Sequence, residues 1–249
     1  MVRLSVNVNK VATLRNSRGG REPSVLEAVR VVVAAGAPGV TVHPRADARH
    51  ITYADVREVA RELAPWRGRV EYNIEGDTRP DLMALVRELR PDQCTLVPVV
   101  PGEVTSQGGW PASTPLDELR QTIGELRAER VRVSVFIDPT VAAVRWAASL
   151  GCDRVELFTE PFARAFMEGA DAAQRAFAAC AEAAEAAHRE GLGVNAGHDL
   201  DHRNLVLFRR LPHLAEVSIG HALMSRALFN GLEPTVREYL RVLEEADHA

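Results

Sequence analysis

Apolar and polar positions alternate with a period of two in eight short stretches of the chain. Between them the period lengthens to that of an amphipathic helix. The strand-like stretches are 4–9 (LSVNVN), 39–44 (GVTVHP), 69–74 (RVEYNI), 93–98 (QCTLVP), 132–138 (RVSVFID), 154–159 (RVELFT), 192–197 (LGVNAG) and 216–221 (EVSIGH). Most are rich in β-branched residues, which suit a pleated, packed surface. The intervening runs are rich in Ala, Leu, Glu and Arg. They predict helices at about 22–35, 52–64, 79–89, 115–129, 140–149, 171–190, 200–210 and 233–246. Gly36, Pro65, Pro91, Gly151, Gly191 and Pro212 punctuate the joints.

Eight strand–helix units in 249 residues match an α/β fold of the (β/α)8 TIM-barrel type. An open doubly wound sheet is the rival, but it usually has fewer strands and a Gly-rich first turn. The first turn here, NVNKVATLRNSRGG, holds neither G-x-G-x-x-G nor a P-loop. The expectation is a single barrel domain over 1–249, with extra short helices in 160–170 and at 222–229.

Composition narrows the function classes. Hydrophobic residues are 46% and charged residues 26%, the balance of a globular chain with a large core. The net charge of −4 argues against a nucleic-acid partner. No run of 18 apolar residues exists and the N-terminus lacks a signal-peptide stretch, so no membrane association is expected. The three cysteines, at 94, 152 and 180, form no C-x-x-C pair and point to a reducing cytoplasm. Cys94 opens a strand and reads as core. Of 30 basic residues, 29 are Arg and one is Lys, at position 10. Arg cannot be deprotonated, so a lone Lys at a strand end suggests a need for a compact amine.

Catalytic groups of a barrel gather at the C-terminal ends of its strands. Those ends carry Asn7-Val8-Asn9-Lys10, His43-Pro44-Arg45 with His50 beyond, Glu71 with Asn73, Asp138, Glu156, Gly197-His198-Asp199 and Gly220-His221. Four of the eight histidines thus map to one rim. The loops after strands 7 and 8 are the usual phosphate cradle of this fold, and the N–H groups of a helix at 222–229 would face an anion. Arg18, Arg45 and Arg49 would neutralise a second anionic group. Asp199, poorly placed beside a phosphate, reads as the N-cap of the 200–210 helix. His43, His198, His221 and Glu71 form a rival metal set. It lacks close-spaced ligands, and no metal is expected.

Six blocks in order then carry a resemblance: VNVNKVATLRNSRGG, GVTVHPRADARHIT, the Glu of VEYNIEG, LVP…EVTSQGG, VNAGHDL and IGHALMSRA. From residue 4 to about 240 the chain resembles the pyridoxine 5′-phosphate synthases of the deoxyxylulose-dependent vitamin B6 pathway. The resemblance implies a TIM barrel assembled as an octamer, with no metal or organic cofactor. It implies condensation of two phosphorylated substrates, 1-deoxy-D-xylulose 5-phosphate and 3-amino-2-oxopropyl phosphate. The products would be pyridoxine 5′-phosphate, inorganic phosphate and water.

By the same resemblance, His43, Glu71 and His198 are the proton-transfer residues. Asn7, Arg18, Asp199, Gly220 and His221 contact the aminooxopropyl phosphate. Asn9, Lys10, Arg45, His50 and Thr105 contact the deoxyxylulose phosphate. Three positions depart from the usual pattern: Asn9-Lys10 replaces an Asp-His pair, and Asp199 replaces a Gly. Lys10 is expected either to bind the sugar phosphate as a cation or to form a transient Schiff base with its ketone. The competing expectation is another aldolase- or isomerase-type reaction on a phosphosugar, using Lys10.

Overall fold

The computed structural model describes residues 1–100, 102–103 and 105–244. Eight parallel strands close on themselves in chain order: β1 (Arg3–Asn7), β2 (Gly39–Val42), β3 (Glu71–Gly76), β4 (Gln93–Leu96), β5 (Arg132–Ile137), β6 (Arg154–Phe158), β7 (Gly193–Gly197) and β8 (Leu214–Ile219). The closing pair sets Leu4 opposite Val217 and Val6 opposite Ile219. This is the (β/α)8 barrel that the periodicity predicts.

The helices are α1 (Asn9–Asn16), α2 (Val25–Ala34), α3 (Tyr53–Leu63), α4 (Pro80–Leu89), α5 (Leu116–Ala128) and α6 (Val141–Leu150), followed by α7 (Glu160–Glu168), α8 (Ala170–Arg189), α9 (Leu205–Phe208), α10 (His221–Asn230) and α11 (Leu232–Glu244). The extra helices expected within 160–170 and at 222–229 are α7 and α10. Residues 245 and 246 of the last predicted helix, and His248, lie outside the described residues.

Three elements differ from expectation. The first strand stops at Asn7, and Asn9 and Lys10 open helix α1. No side chain caps that helix, so its start carries no sequence signal. The predicted 200–210 helix shrinks to the single turn α9. Asp201 Oδ1 accepts the Arg203 and Asn204 N–H groups, and Asn204 Oδ1 accepts the Asp201 N–H, so an Asx turn takes the first half. Strand β3 runs on to Gly76, past the predicted end at 74.

The two faces of the strands do different work. Leu4, Val6, Val40, Val42, Ile74, Val133, Val155 and Val217 are fully buried and belong to the core shared with the helices. The inward face is polar instead of the usual branched aliphatic packing. Ser5 Oγ lies 2.7 Å from Thr41 Oγ1, Asn73 Nδ2 donates to Thr41 Oγ1 at 3.3 Å, and Thr95 Oγ1 donates to Asn73 Oδ1 at 3.1 Å. That belt separates two ionisable ends of the barrel interior.

Candidate active site

A cavity of about 440 Å³ opens at the C-terminal ends of the strands. Its floor carries His43 after β2, Glu75 on β3 and Glu156 on β6. Its walls include Asn9, Lys10 and Thr13 of α1, Arg45, Arg49 and His50 of the loop after β2, and Thr105 and Ser106 of the loop after β4. The turn after β7 supplies His198 and Asp199, and Gly220, His221 and Ala222 come from the start of α10.

Of the residues named from sequence, the structure brings Asn7, Asn9, Lys10, His43, Arg45, His50, Thr105, His198, Asp199, Gly220 and His221 to this one cavity. Arg18 is not among its lining residues and is exposed in the turn after α1.

Glu71 requires correction. It is the first residue of β3, paired in register with Gly39 at the start of β2. Its Oε2 lies 2.5 Å from Arg132 and 3.9 Å from Arg3, in the opposite mouth of the barrel. Four strand residues, roughly 13 Å, separate it from the site end. Glu75 takes the place assigned to it. Glu71, Asn73 and Glu75 share one strand face, so a boundary drawn at residue 74 omits the glutamate that lines the cavity. Glu156, also on the cavity floor, has no role in the sequence reading, although its inward period on β6 is a signal for one. The rival metal set fails with Glu71. Among the described residues no group of three or more His, Cys, Asp or Glu is arranged to hold a metal.

The N-cap reading of Asp199 also changes. Its Oδ2 meets Nδ1 of His198 at 2.9 Å, and Asp201 binds the downstream N–H groups instead.

Burial sets the protonation of the floor. His43 is buried, and desolvation, aided by His50, Arg45 and Arg79, lowers it to about 3. Glu75 is pushed up to about 8, first by desolvation and then by the charge of Glu216. His43 Nδ1 lies 3.7 Å from Glu75 Oε2, so a neutral imidazole faces a protonated carboxyl. Desolvation and the nearby Glu75 also raise Glu156 well above the ordinary carboxylate range. His50 falls to about 4 through desolvation and the nearby Lys10, Arg45 and Arg49. Its Nδ1 accepts the Ile51 N–H at 2.9 Å, which leaves Nε2 as the protonated nitrogen.

The backbone is shaped to these side chains. Asn9 Oδ1 accepts the His43 N–H at 2.9 Å, and Asn7 Oδ1 accepts the Asn9 N–H at 3.0 Å. A Cβ at position 197 would stand 2.5 Å from Glu156 Oε1, and one at 220 would stand 3.1 Å from Asn7 Cβ. Gly197 and Gly220 therefore leave room for a carboxyl and an amide that line the cavity. Two helix N-termini, of α1 and α10, meet the cavity without side-chain caps or acidic first turns. Each is suited to an anion.

The comparisons agree with this geometry. The sequence model of the family described as "Pyridoxal phosphate biosynthesis protein PdxJ" matches residues 4–245. A pyridoxine 5′-phosphate synthase of Christiangramia forsetii is 47% identical over 98% of this chain and 100% of its own. One of Leptospira biflexa is 46% identical over 98% and 97%. Among solved structures, a thiamine phosphate pyrophosphorylase from Pyrococcus furiosus superposes with a TM-score of 0.64 over 98% of this chain and 96% of its own. A phosphoribosylanthranilate isomerase from Thermotoga maritima gives 0.61 over 98% and 99%. Both are 12% identical, so they speak to the fold alone. With 242 matched residues and relatives near half identity over their full length, the chain belongs to the PdxJ family of pyridoxal phosphate biosynthesis proteins.

Proposed function

We propose that the chain, as a single barrel domain, is a pyridoxine 5′-phosphate synthase. It joins 1-deoxy-D-xylulose 5-phosphate to 3-amino-2-oxopropyl phosphate and releases inorganic phosphate and water. The observation that carries the mechanism is the His43–Glu75 pair, an unprotonated imidazole beside a protonated carboxyl on the floor of one cavity.

The chemistry needs this pairing. The substrate amine adds to the ketone, one proton leaves nitrogen and one arrives on oxygen. His43 accepts the first and Glu75 donates the second. His43 then hands its proton to the carbinol oxygen, which departs as water, and takes the second proton from nitrogen, leaving the imine. Having given up its proton, Glu75 is a stronger base than an ordinary carboxylate, because burial disfavours its charge. It then retrieves a proton from carbon during ring closure. His198, at the opposite wall, serves the departing oxygen groups.

The α10 N-terminus with Gly220 and His221 suits the phosphate of the amine substrate, beside Asn7. The α1 N-terminus with Lys10, Arg45 and His50 suits the phosphate of the ketone. Asn9 and Thr105 line the ketone's part of the cavity.

The assembly proposed is a homo-oligomer, an octamer by family resemblance. Leu228 and Phe229 of α10, 71% and 90% exposed, support burial of that surface against another copy. A cytoplasmic location is supported by three buried, unpaired cysteines. No helix among the described residues is long and apolar enough to cross a membrane.

The test is direct. Purified protein is mixed with both substrates and pyridoxine 5′-phosphate is sought by mass spectrometry, with His43→Ala alongside. Product from the parent chain and none from the variant is the expected result. A folded parent chain that yields no product rejects the reading.

A further inference from the structure

The proposed steps leave one close contact of the cavity without a role. Asp199 Oδ2 lies 2.9 Å from Nδ1 of His198, its own neighbour in sequence. Adjacent side chains of an extended strand point to opposite faces and do not pair. These two meet because both residues leave the strand with left-handed backbone, φ 91° at His198 and 61° at Asp199. Residues with a Cβ adopt that conformation rarely, and surrounding structure must hold it. Here Thr159 Oγ1 donates to the carbonyls of Gly197 and His198 at 2.7 and 2.5 Å. Asn204 Nδ2 donates to the carbonyl of Asp199 at 3.2 Å.

The far side of the His198 ring is also defined. Nε2 lies 2.9 Å from Thr105 Oγ1, and the Phe158 ring stands edge-on at 5.1 Å between centroids. An ionised carboxylate only accepts hydrogen bonds. Against Asp199, Nδ1 of His198 must therefore carry a proton. A neutral imidazole has only one, so Nε2 is left with its lone pair, and the Thr105 hydroxyl donates to it. The His198 contact, with Lys10 and His221 nearby, holds Asp199 below the usual carboxylate range and keeps it ionised.

We infer that Asp199 is a positioning residue: it fixes His198 in the tautomer whose Nε2, on the Thr105 side of the cavity, is free to accept a proton. The inference rests on the reading of His198 as a proton carrier in the synthase reaction. It separates two roles for Asp199, contact with substrate and control of the histidine beside it, and assigns the second.

The test pairs spectroscopy with kinetics on the full chain. In 15N-histidine NMR at neutral pH, His198 of the parent chain is expected to show a protonated Nδ1 and an unprotonated Nε2. Asp199→Asn tolerates the same left-handed backbone, but its amide no longer enforces one tautomer. A protonated Nε2 should then be populated. In the same variant kcat should fall by roughly 10- to 100-fold while KM for each substrate stays within about twofold.

A protonated Nε2 in the parent chain overturns the inference. So does a variant with unchanged kcat, whether KM for the aminooxopropyl phosphate rises or stays put. Should the parent chain form no pyridoxine 5′-phosphate, the functional reading fails on its own, and the NMR measurement still decides whether Asp199 sets the tautomer.

Discussion

The two ends of the barrel interior hold the same kinds of residue and use them in opposite ways. At the N-terminal mouth, Glu71 is gripped by Arg132 and faces Arg3, while Arg154 donates to Asn195 at 2.9 Å and Arg132 to Gln93 at 3.0 Å. The Glu71 carboxylate there meets guanidinium groups. At the C-terminal mouth, Glu75 has among the described residues only long contacts, to Asn7 at 3.5 Å and Ser218 at 3.4 Å, and an uncharged imidazole beside it. Glu71 and Glu75 lie on one face of one strand. What separates structure from chemistry is whether an arginine is within reach. Glu71 is held by a guanidinium, whereas burial without a cation pushes Glu75 up and makes its proton transferable.

Exchanging the carboxyls for amides breaks the comparison most sharply. Glu75→Gln should lower kcat by roughly a thousandfold, within the range for a lost general acid–base group, with little change in melting temperature. Steady-state kinetics and calorimetry read the two halves of that statement.

A cation on the upper rim comes next. Lys10→Met should raise KM for the sugar phosphate by roughly 10- to 100-fold, as expected for a lost charged hydrogen bond of about 1.5–3 kcal/mol, with KM for the amine substrate nearly constant. Equal loss for both substrates would count against its placement on the ketone side.

Glu71→Gln is the mirror of the first variant. It leaves Arg132, about a third exposed, without its charge partner. A cost of about 2 kcal/mol is expected, or about 4–8 °C in melting temperature for a chain of this size. Activity at 25 °C should stay within about threefold of the parent, a bound set by distance from the cavity. A collapse of kcat with intact stability would return Glu71 to the reaction.

The smallest effect is a slope. Folded Glu75 keeps its proton to about 8, whereas the unfolded chain releases it near 4.5. Across that window the unfolded state binds fewer protons, so stability falls as pH rises and levels off above about 8. Glu216, pushed up to about 8 chiefly by desolvation, adds the same sign. His43 and His50 act in the other direction, costing stability as pH falls below about 6.5. Glu75→Gln should therefore show a smaller loss of melting temperature between pH 6 and 9 than the parent, by a few degrees at most.

The barrel was legible because its signal is repeated eight times. Alternation at Leu4, Val6, Val40 and Val42 and the Gly and Pro joints all point to the same topology. The site was less so. The pattern Glu71-x-Asn73-x-Glu75 declares three inward positions but not which end faces solvent, since that depends on where β3 begins against β2. The hydrogen bond from His198 to Asp199 depends on two consecutive positive φ values, which His and Asp tolerate but do not announce. Helix α1 was hidden by its polar, uncapped start, so Lys10 was placed on a strand end when it stands on a helix.

That placement of Lys10 has a practical side. The chain's three thiols are buried, and desolvation pushes each up to about 12, so electrophiles that seek thiolates find little to react with. Lys10 is the sole lysine, and it lines the cavity. An amine-selective reporter carrying a phosphate would address a single side chain in the catalytic chamber. Occupancy of that chamber could then be followed by fluorescence or used to screen competitors, without engineering a label into the protein.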